Sequence, residues 1–363
     1  MKLFFCFLIS VFITIGFSFG QERKPMFHQI DSSLGLKDHC KKHFLIGASV
    51  TPNSLKGESG ALLSREFNTL TAENAMKPGL IHPEKDRYFW TDADSIVAFA
   101  KRNNMKMRGH TLCWHRQTAD WFFKDNEGKQ VGKEELLARL KEHITNVVSR
   151  YKGEVYAWDV VNEAIDDNEK KEFRSSLWYE ICGEEYIAKA FQYAHEADPD
   201  AKLFYNDYNT EAPAKREKIF LMIKRLKEQG VPIHGVGLQG HWSNRWPSSD
   251  ELTRTIEKFS LLGIDIQITE MDISVYGSKE NMDENPGVFT PEREKEQAEK
   301  YKAMFNVFLK NSNKISSVTF WNVSDRHSWL DNFPVKNRKN FPLLFDAAFS
   351  RKKAYWEVVN LVK

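Results

Sequence analysis

Short apolar runs that stop abruptly at polar residues recur along this chain, separated by longer amphipathic stretches. The clearest is Val155-Tyr156-Ala157-Trp158-Asp159-Val160-Val161-Asn162-Glu163, apolar apart from Asp159 until it closes on an Asn-Glu pair. A parallel strand buried on both faces reads this way when it runs out into a polar cleft. Ile264-Asp265-Ile266-Gln267-Ile268-Thr269-Glu270-Met271-Asp272 repeats the plan. Eight such strands are predicted, at 44–50, 66–74, 105–113, 155–163, 202–209, 235–241, 265–272 and 316–323. Helical patterns lie between them. Glu134 to Tyr151 carries Leu136, Leu137, Leu140, Ile144, Val147, Val148 and Tyr151 at helical spacing. Pro213 opens another helix and Gly230 closes it. Ser249 or Asp250 caps a third that ends near Gly263, and Pro291 opens a charged fourth that reaches about Lys310. Strand–helix alternation over eight units predicts an α/β protein, a single-domain (β/α)8 TIM barrel.

Composition narrows the partners. The 52 Lys and Arg nearly balance the 50 Asp and Glu, which argues against nucleic acid or any polyanion recognised by bulk charge. Residues 1–20 stand apart from the barrel. Lys2 is a positive start, Leu3 to Phe19 is mostly apolar, and Ser18 and Gly20 are the small residues before a cut at Gln21. This is a secretory signal pattern; the alternative is an uncleaved membrane anchor at the short end of spanning length. The mature domain is then 21–363, secreted or periplasmic, a monomer with no membrane partner. Removal of the signal also removes Cys6. Cys40, Cys113 and Cys182 remain, without metal-like spacing; one disulfide can be drawn, but buried thiols are the favoured reading. The Gly-, Asn- and Asp-rich stretch from Tyr276 to Thr290 reads as a long loop near the cleft.

Polar residues collect where the strands end. Strand two gives Glu73 and Asn74, with Lys77 beyond; strand three runs into His110, Trp114, His115 and Gln117. Strand four ends in Asn162 and Glu163, strand five in Asn206, Asp207, Tyr208 and Asn209, and strand six in Gln239 and His241. Strand seven ends in Glu270 and Asp272, and strand eight in Trp321, Asp325 and Trp329. In a barrel of parallel strands the C-terminal rim carries the active site. Two carboxylates among amides, imidazoles and indoles suit glycoside hydrolysis: one acid protonates the leaving oxygen, and the other attacks the anomeric carbon or activates water. Indole faces stack on the apolar face of a sugar, and Asn162 is placed to hold a sugar 2-hydroxyl. Few basic residues share these strand ends, which weighs against a structural ion pair for Glu163 or Glu270.

The segments WDVVNE and ITEMD, with TAENAMKP, GHTLCWHRQ, YNDYNTE, GLQGHW and TFWNVSDRHSWL in the same order, resemble family 10 glycoside hydrolases, the endo-β-1,4-xylanases, over nearly the whole mature chain. The resemblance implies hydrolysis of internal bonds of xylan by a retaining double displacement, with no cofactor and no metal. Glu163 would be the acid/base and Glu270 the nucleophile, about 5–5.5 Å apart as in retaining enzymes. His241 and Asp272 would hold Glu270 ionised. Glu73, Asn74, Lys77, His110, Trp114, Gln117, Asn162, Gln239, Trp321 and Trp329 would line the glycone subsites, and Tyr208 would face the aglycone.

Three positions depart from the family pattern. Asn322 stands where glycine is usual, with a side chain large enough to crowd the rim; Thr118-Ala119 replaces Leu-Pro; and Cys113 replaces an aliphatic residue. Other classes fit less well. A metal-dependent barrel hydrolase has His110, His115 and His241 to draw on but no His-x-His pair on strand one. A binding barrel without activity would lose one of the two carboxylates, and both are present. A glycosidase acting on another β-linked glucan or on mannan is the nearest alternative.

Overall fold

In the computed structural model, residues 34–277 and 287–362 are described. Nine strand segments run in chain order: β1 (Leu45–Val50), β2 (Thr69–Ala72), β3 (Lys106–Trp114), β4 (Val155–Asn162), β5 (Lys202–Asp207), β6 (Gly235–Leu238), β7 (His241–Ser243), β8 (Asp265–Ser274) and β9 (Ile315–Phe320). All pair in parallel, and the ring closes because β1 pairs with β9 and β6 with β8. The staves number eight, as predicted. β7 is the upper part of predicted strand six, split off at Gln239-Gly240, where Gly240 takes φ +80°, and it pairs with β8 alone. The predicted signal segment 1–20, with Cys6, lies outside the described residues, as does the middle of the loop predicted at 276–290.

Strand two is shorter than predicted. Glu66 is the last residue of the helix Gly57–Glu66, where its buried carboxylate pairs with Arg65 and Arg351 and accepts Tyr355 Oη at 3.0 Å. The four helices expected from periodicity are present as Lys133–Arg150, Pro213–Glu228, Ser249–Ser260 and Pro291–Lys310. Ser248, rather than Ser249 or Asp250, caps the third, accepting the Glu251 amide at 3.1 Å. Residues such as Leu136, Leu140, Ile144 and Val148 line one face of their helix and are buried against the barrel wall. Cys40, Cys113 and Cys182 are buried free thiols.

The inside of the barrel is polar. Gly47, at its wall, leaves no room for a Cβ between Thr69 and Thr319. Arg108 of β3 is 1% exposed and reaches across the lumen to Gln267 of β8, Nε to Oε1 at 2.9 Å. Its guanidinium makes a two-pronged pair with the fully buried Asp159 of β4. Above this pair the ladders lose register: between His110 and Cys113 on β3, Asp159 and Val161 on β4, and Ile268 and Met271 on β8. Such bulges re-aim side chains. Here they lie beneath the rim that holds the predicted site.

Candidate active site

Glu163 follows the last residue of β4 in the left-handed region, at φ +58°, uncommon for a side chain of this size. The neighbouring strand holds it there: the Glu163 amide donates to the Asn206 carbonyl at 2.9 Å. Its carboxylate receives two donors, Trp114 Nε1 on Oε2 at 2.9 Å and Gln239 Nε2 on Oε1 at 3.0 Å. Trp114 is itself positioned, since its carbonyl accepts Trp178 Nε1 at 3.0 Å and Thr118 Oγ1 at 2.6 Å. The departure at Thr118 thus serves as a staple. Behind Glu163, Arg174 Nε donates to the Glu163 carbonyl at 3.0 Å, and Tyr205 Oη accepts the Ile165 amide at 3.1 Å. Tyr205 also donates to Asp207, which pairs with the buried Lys215 at 2.9 Å. Burial pushes the Asp207 carboxyl up to about 6, with Lys215 opposing and the nearby Glu163 charge adding to the rise.

Glu270 lies in the bulge of β8 and is 4% exposed. Asn206 Nδ2 donates to its Oε1 at 2.8 Å, and His241 Nε2 faces its Oε2 at 3.1 Å. Burial acts to raise this carboxyl, but the His241 hydrogen bond, the imidazoles of His110 and His241 and the Asn206 amide prevail and hold it at about 2. The other side of His241 faces Asp272, Nδ1 to Oδ2 at 3.0 Å. Burial acts to lower the imidazole, but Asp272 and Glu270 raise it to about 10. His241 is therefore a cation between two carboxylates. Asp272 Oδ2 also accepts Trp329 Nε1 at 2.7 Å, which ties one predicted wall residue to the network.

The other predicted residues converge on the same rim. His110 is buried, faces Asp159 Oδ2 at 2.9 Å, lies 3.9 Å from Glu270 and packs edge-on against Trp321. Lys77 is 7% exposed, donates to Asn74 Oδ1 at 2.9 Å and stands 5.0 Å from the Trp114 ring centre. Burial lowers its ammonium, and the charges of Glu270, Glu73 and Glu163 oppose that. Burial raises Glu73 against the pull of Lys77 and Asn74. Asn162 bridges the two halves, 2.9 Å from Asn206 Nδ2 and 3.3 Å from Gln239 Nε2. Gln117 is exposed at the cleft edge with φ +44°. Tyr208 stands on the strand-five side, its hydroxyl shared by Asp167 and Arg174 and its ring covered by Lys215 at 3.6 Å.

Asn322 is held at the edge of the rim by its own hydrogen bonds. At φ +122° its side chain turns to Glu73 Oε2 at 3.4 Å and the His327 carbonyl at 3.1 Å. Asn206 is the residue underrated from sequence, for it touches Glu270 and Asn162 and takes Thr269 Oγ1 at 2.6 Å. The run of polar residues at the end of strand five was its only signal. Among the described residues no cluster of three or more His, Cys, Asp or Glu is arranged to hold a metal ion.

A (β/α)8 barrel with one rim carboxylate kept ionised by a histidine cation, and a second held among amide and indole donors, defines a glycoside hydrolase. The chain belongs to glycosyl hydrolase family 10, whose model matches residues 35–361. It is 48% identical over 359 residues to a β-1,4-xylanase of Dictyoglomus thermophilum, covering 98% of each chain. Its fold is similar to that of a xylanase from Paenibacillus barcinonensis complexed with a conduramine derivative, with a TM-score of 0.88 and 42% identity over 91% of this chain and 99% of that one. A mutant enzyme in complex with xylotriose is similar too, with a TM-score of 0.87 and 44% identity over 90% of this chain and 100% of that one.

Proposed function

We propose that the protein is an endo-1,4-β-xylanase that cleaves internal bonds of xylan with retention of configuration. The observation that carries this reading is the unlike surroundings of the two rim carboxylates, Glu270 against the His241 imidazole and Glu163 against the Trp114 and Gln239 donors. Glu270, pulled down to about 2, is ionised at any working pH and is free to attack the anomeric carbon. Glu163 lies outside the His241 network, against the Trp114 and Gln239 donors, where it can give a proton to the leaving oxygen. Once Glu270 is esterified its charge is gone, and Glu163 can take a proton from water as the ester is hydrolysed.

The binding residues support a sugar chain crossing the rim. Glu73, Asn74, Lys77, His110, Trp114, Gln117, Trp321 and Trp329 would hold the glycone, Asn162 and Gln239 the sugar at the reacting centre, and Tyr208 the aglycone. The xylotriose complex of a relative supports a xylo-oligosaccharide as ligand. The deciding experiment incubates the protein with xylan, cellulose and mannan side by side and identifies the released oligosaccharides; xylo-oligosaccharides from xylan alone are expected. The apolar segment at 1–20 supports secretion after cleavage near Gly20. Protein recovered from its native host should begin near Gln21, and retention of Met1 in a membrane fraction would count against this.

A further inference from the structure

Alternation along β5 divides its side chains between two tasks. Asn206 turns into the barrel and meets Glu270 at 2.8 Å. Tyr205 and Asp207 take the opposite face, and both are fully buried. From there Tyr205 reaches the backbone just after Glu163, where its Oη accepts the Ile165 amide at 3.1 Å.

That segment needs holding, because Glu163 sits at φ +58°, a conformation that persists only where the surroundings enforce it. The Glu163 amide is fixed on the Asn206 carbonyl at 2.9 Å, and its carbonyl takes Arg174 Nε at 3.0 Å. The Ala164 carbonyl takes the Arg174 amide at 2.8 Å. The Ile165 amide has Tyr205.

A tyrosine oxygen accepts an amide best when its own proton points elsewhere. The Tyr205 proton goes to Asp207 Oδ2. This direction depends on Asp207 being a carboxylate, since a carboxylic acid would offer a proton of its own to the same oxygen. Burial favours the acid form of Asp207, and Lys215 opposes it. Lys215, in the helix Pro213–Glu228, is 3% exposed and places Nζ 2.9 Å from Asp207 Oδ1. Asp167 Oδ1 at 2.9 Å and the Tyr208 ring at 3.6 Å hold the same ammonium from two further sides. A polarised chain therefore runs from a buried cation to the backbone beside the acid. Lys215 donates to Asp207, Asp207 accepts from Tyr205, and Tyr205 accepts from Ile165.

We infer that Lys215 is a positioning residue for the acid/base: by pairing with Asp207 it turns Tyr205 Oη to the Ile165 amide and so aims the Glu163 carboxyl at the leaving oxygen. The inference rests on the reading of Glu163 as the acid and adds a buried residue behind the cleft to what serves it.

The test measures single-turnover cleavage at saturating substrate. One substrate is a linear β-1,4-xylo-oligosaccharide, whose leaving sugar needs a proton; the other is a dinitrophenyl β-xylobioside, whose leaving group does not. Tyr205→Phe removes the hydroxyl alone, Lys215→Met removes the cation, and a further protein carries both changes. Each should cleave the oligosaccharide about tenfold more slowly, part of the ~10²–10⁴-fold that a well-placed acid supplies, and should keep the dinitrophenyl rate within about twofold of wild type. The double variant should be no slower than Lys215→Met, because both changes break one chain. Equal losses on the two substrates would overturn the inference, since a merely structural role slows both. So would an unchanged oligosaccharide rate in Tyr205→Phe, or losses that multiply in the double variant. If Lys215→Met does not fold, Asp207→Asn, which keeps the shape and removes the charge, takes its place with the same expected and overturning results. Failure of the wild type to cleave the oligosaccharide would instead overturn the xylanase reading, a result distinct from the others.

Discussion

His241 Nε2 faces Glu270 Oε2 at 3.1 Å, and the same imidazole turns Nδ1 to Asp272 Oδ2 at 3.0 Å. Glu270 and its cation are therefore built as one unit, with Asp272 fixing the ring and its charge. In a half-dry rim this matters more than it would in water, because a lower effective dielectric strengthens each pair. A carboxylate left in that place without the cation would drift toward its neutral acid.

Replacing His241 with Gln tests this. Glu270 is held near 2, so the native protein keeps this carboxylate ionised down to strongly acidic pH and loses its charge only as pH falls toward that value. In the variant burial prevails, Glu270 titrates higher, and activity is lost earlier on acidification. The acidic limb of kcat/KM against pH should move up by about 1–2 pH units. An unmoved limb would show that His241 does not set the charge of Glu270.

Glu163→Gln keeps the Trp114 contact but removes the proton. Cleavage of xylan should fall by about 10²–10⁴-fold, and the basic limb of the pH profile should vanish. Aryl xylosides with good leaving groups need no acid in the first step, so a burst of released phenol should survive. Equal slowing of both substrates in that step would rule out the acid role.

Beneath the site, Arg108→Met should destabilise the fold by about 3–5 kcal/mol, because it strands the buried Asp159 charge without its partner. Urea unfolding monitored by tryptophan fluorescence checks this. The loss should also reach the rim, since Asp159 holds His110, which lies beside Glu270. A doubly apolar Arg108→Met, Asp159→Leu protein should recover part of the stability and none of the activity.

The features legible from sequence and those that were not divide on physical grounds. Glu163 and Glu270 stood out because a parallel strand must be apolar until it leaves the barrel, so a carboxylate at its end marks the rim. Arg108 with Asp159 did not: one is a basic residue in a mixed strand, the other a polar interruption in an apolar one, and only the closed ring brings them together. Asn206 was hidden for a related reason. Its amide matters because the bulge at Ile268 to Met271 turns Glu270 onto it, and a bulge leaves no mark in a two-residue period. The break between β6 and β7 rests on the positive φ of Gly240, which the apolar pattern does not encode. The size of Asn322 alone leaves its effect on the rim open; its backbone angle turns the side chain to Glu73.

Three amides join the two halves of the site, and the charge of Glu270 bears on the stereochemical outcome. Gln239 Nε2 lies 3.0 Å from Glu163 Oε1, Asn206 Nδ2 lies 2.8 Å from Glu270 Oε1, and both amides reach the single side chain of Asn162, at 3.3 and 2.9 Å. Retaining glycosidases hold their carboxyl groups about 5–5.5 Å apart, and inverting ones about 6.5–9.5 Å apart to admit a water. An ionised Glu270 already in hydrogen-bonded place favours direct attack by its oxygen, the retaining course general to this family. Attack forms a glycosyl ester on Glu270 with inversion, and water assisted by Glu163 inverts the same carbon again. The first products from xylan should therefore carry the β configuration and should be oligosaccharides, because the cleft admits a chain in its middle. Proton NMR of the reaction within its first minutes, before mutarotation, reads the anomer directly. Initial appearance of the α-anomer would refute retention, and release of xylose alone from chain ends would refute internal cleavage.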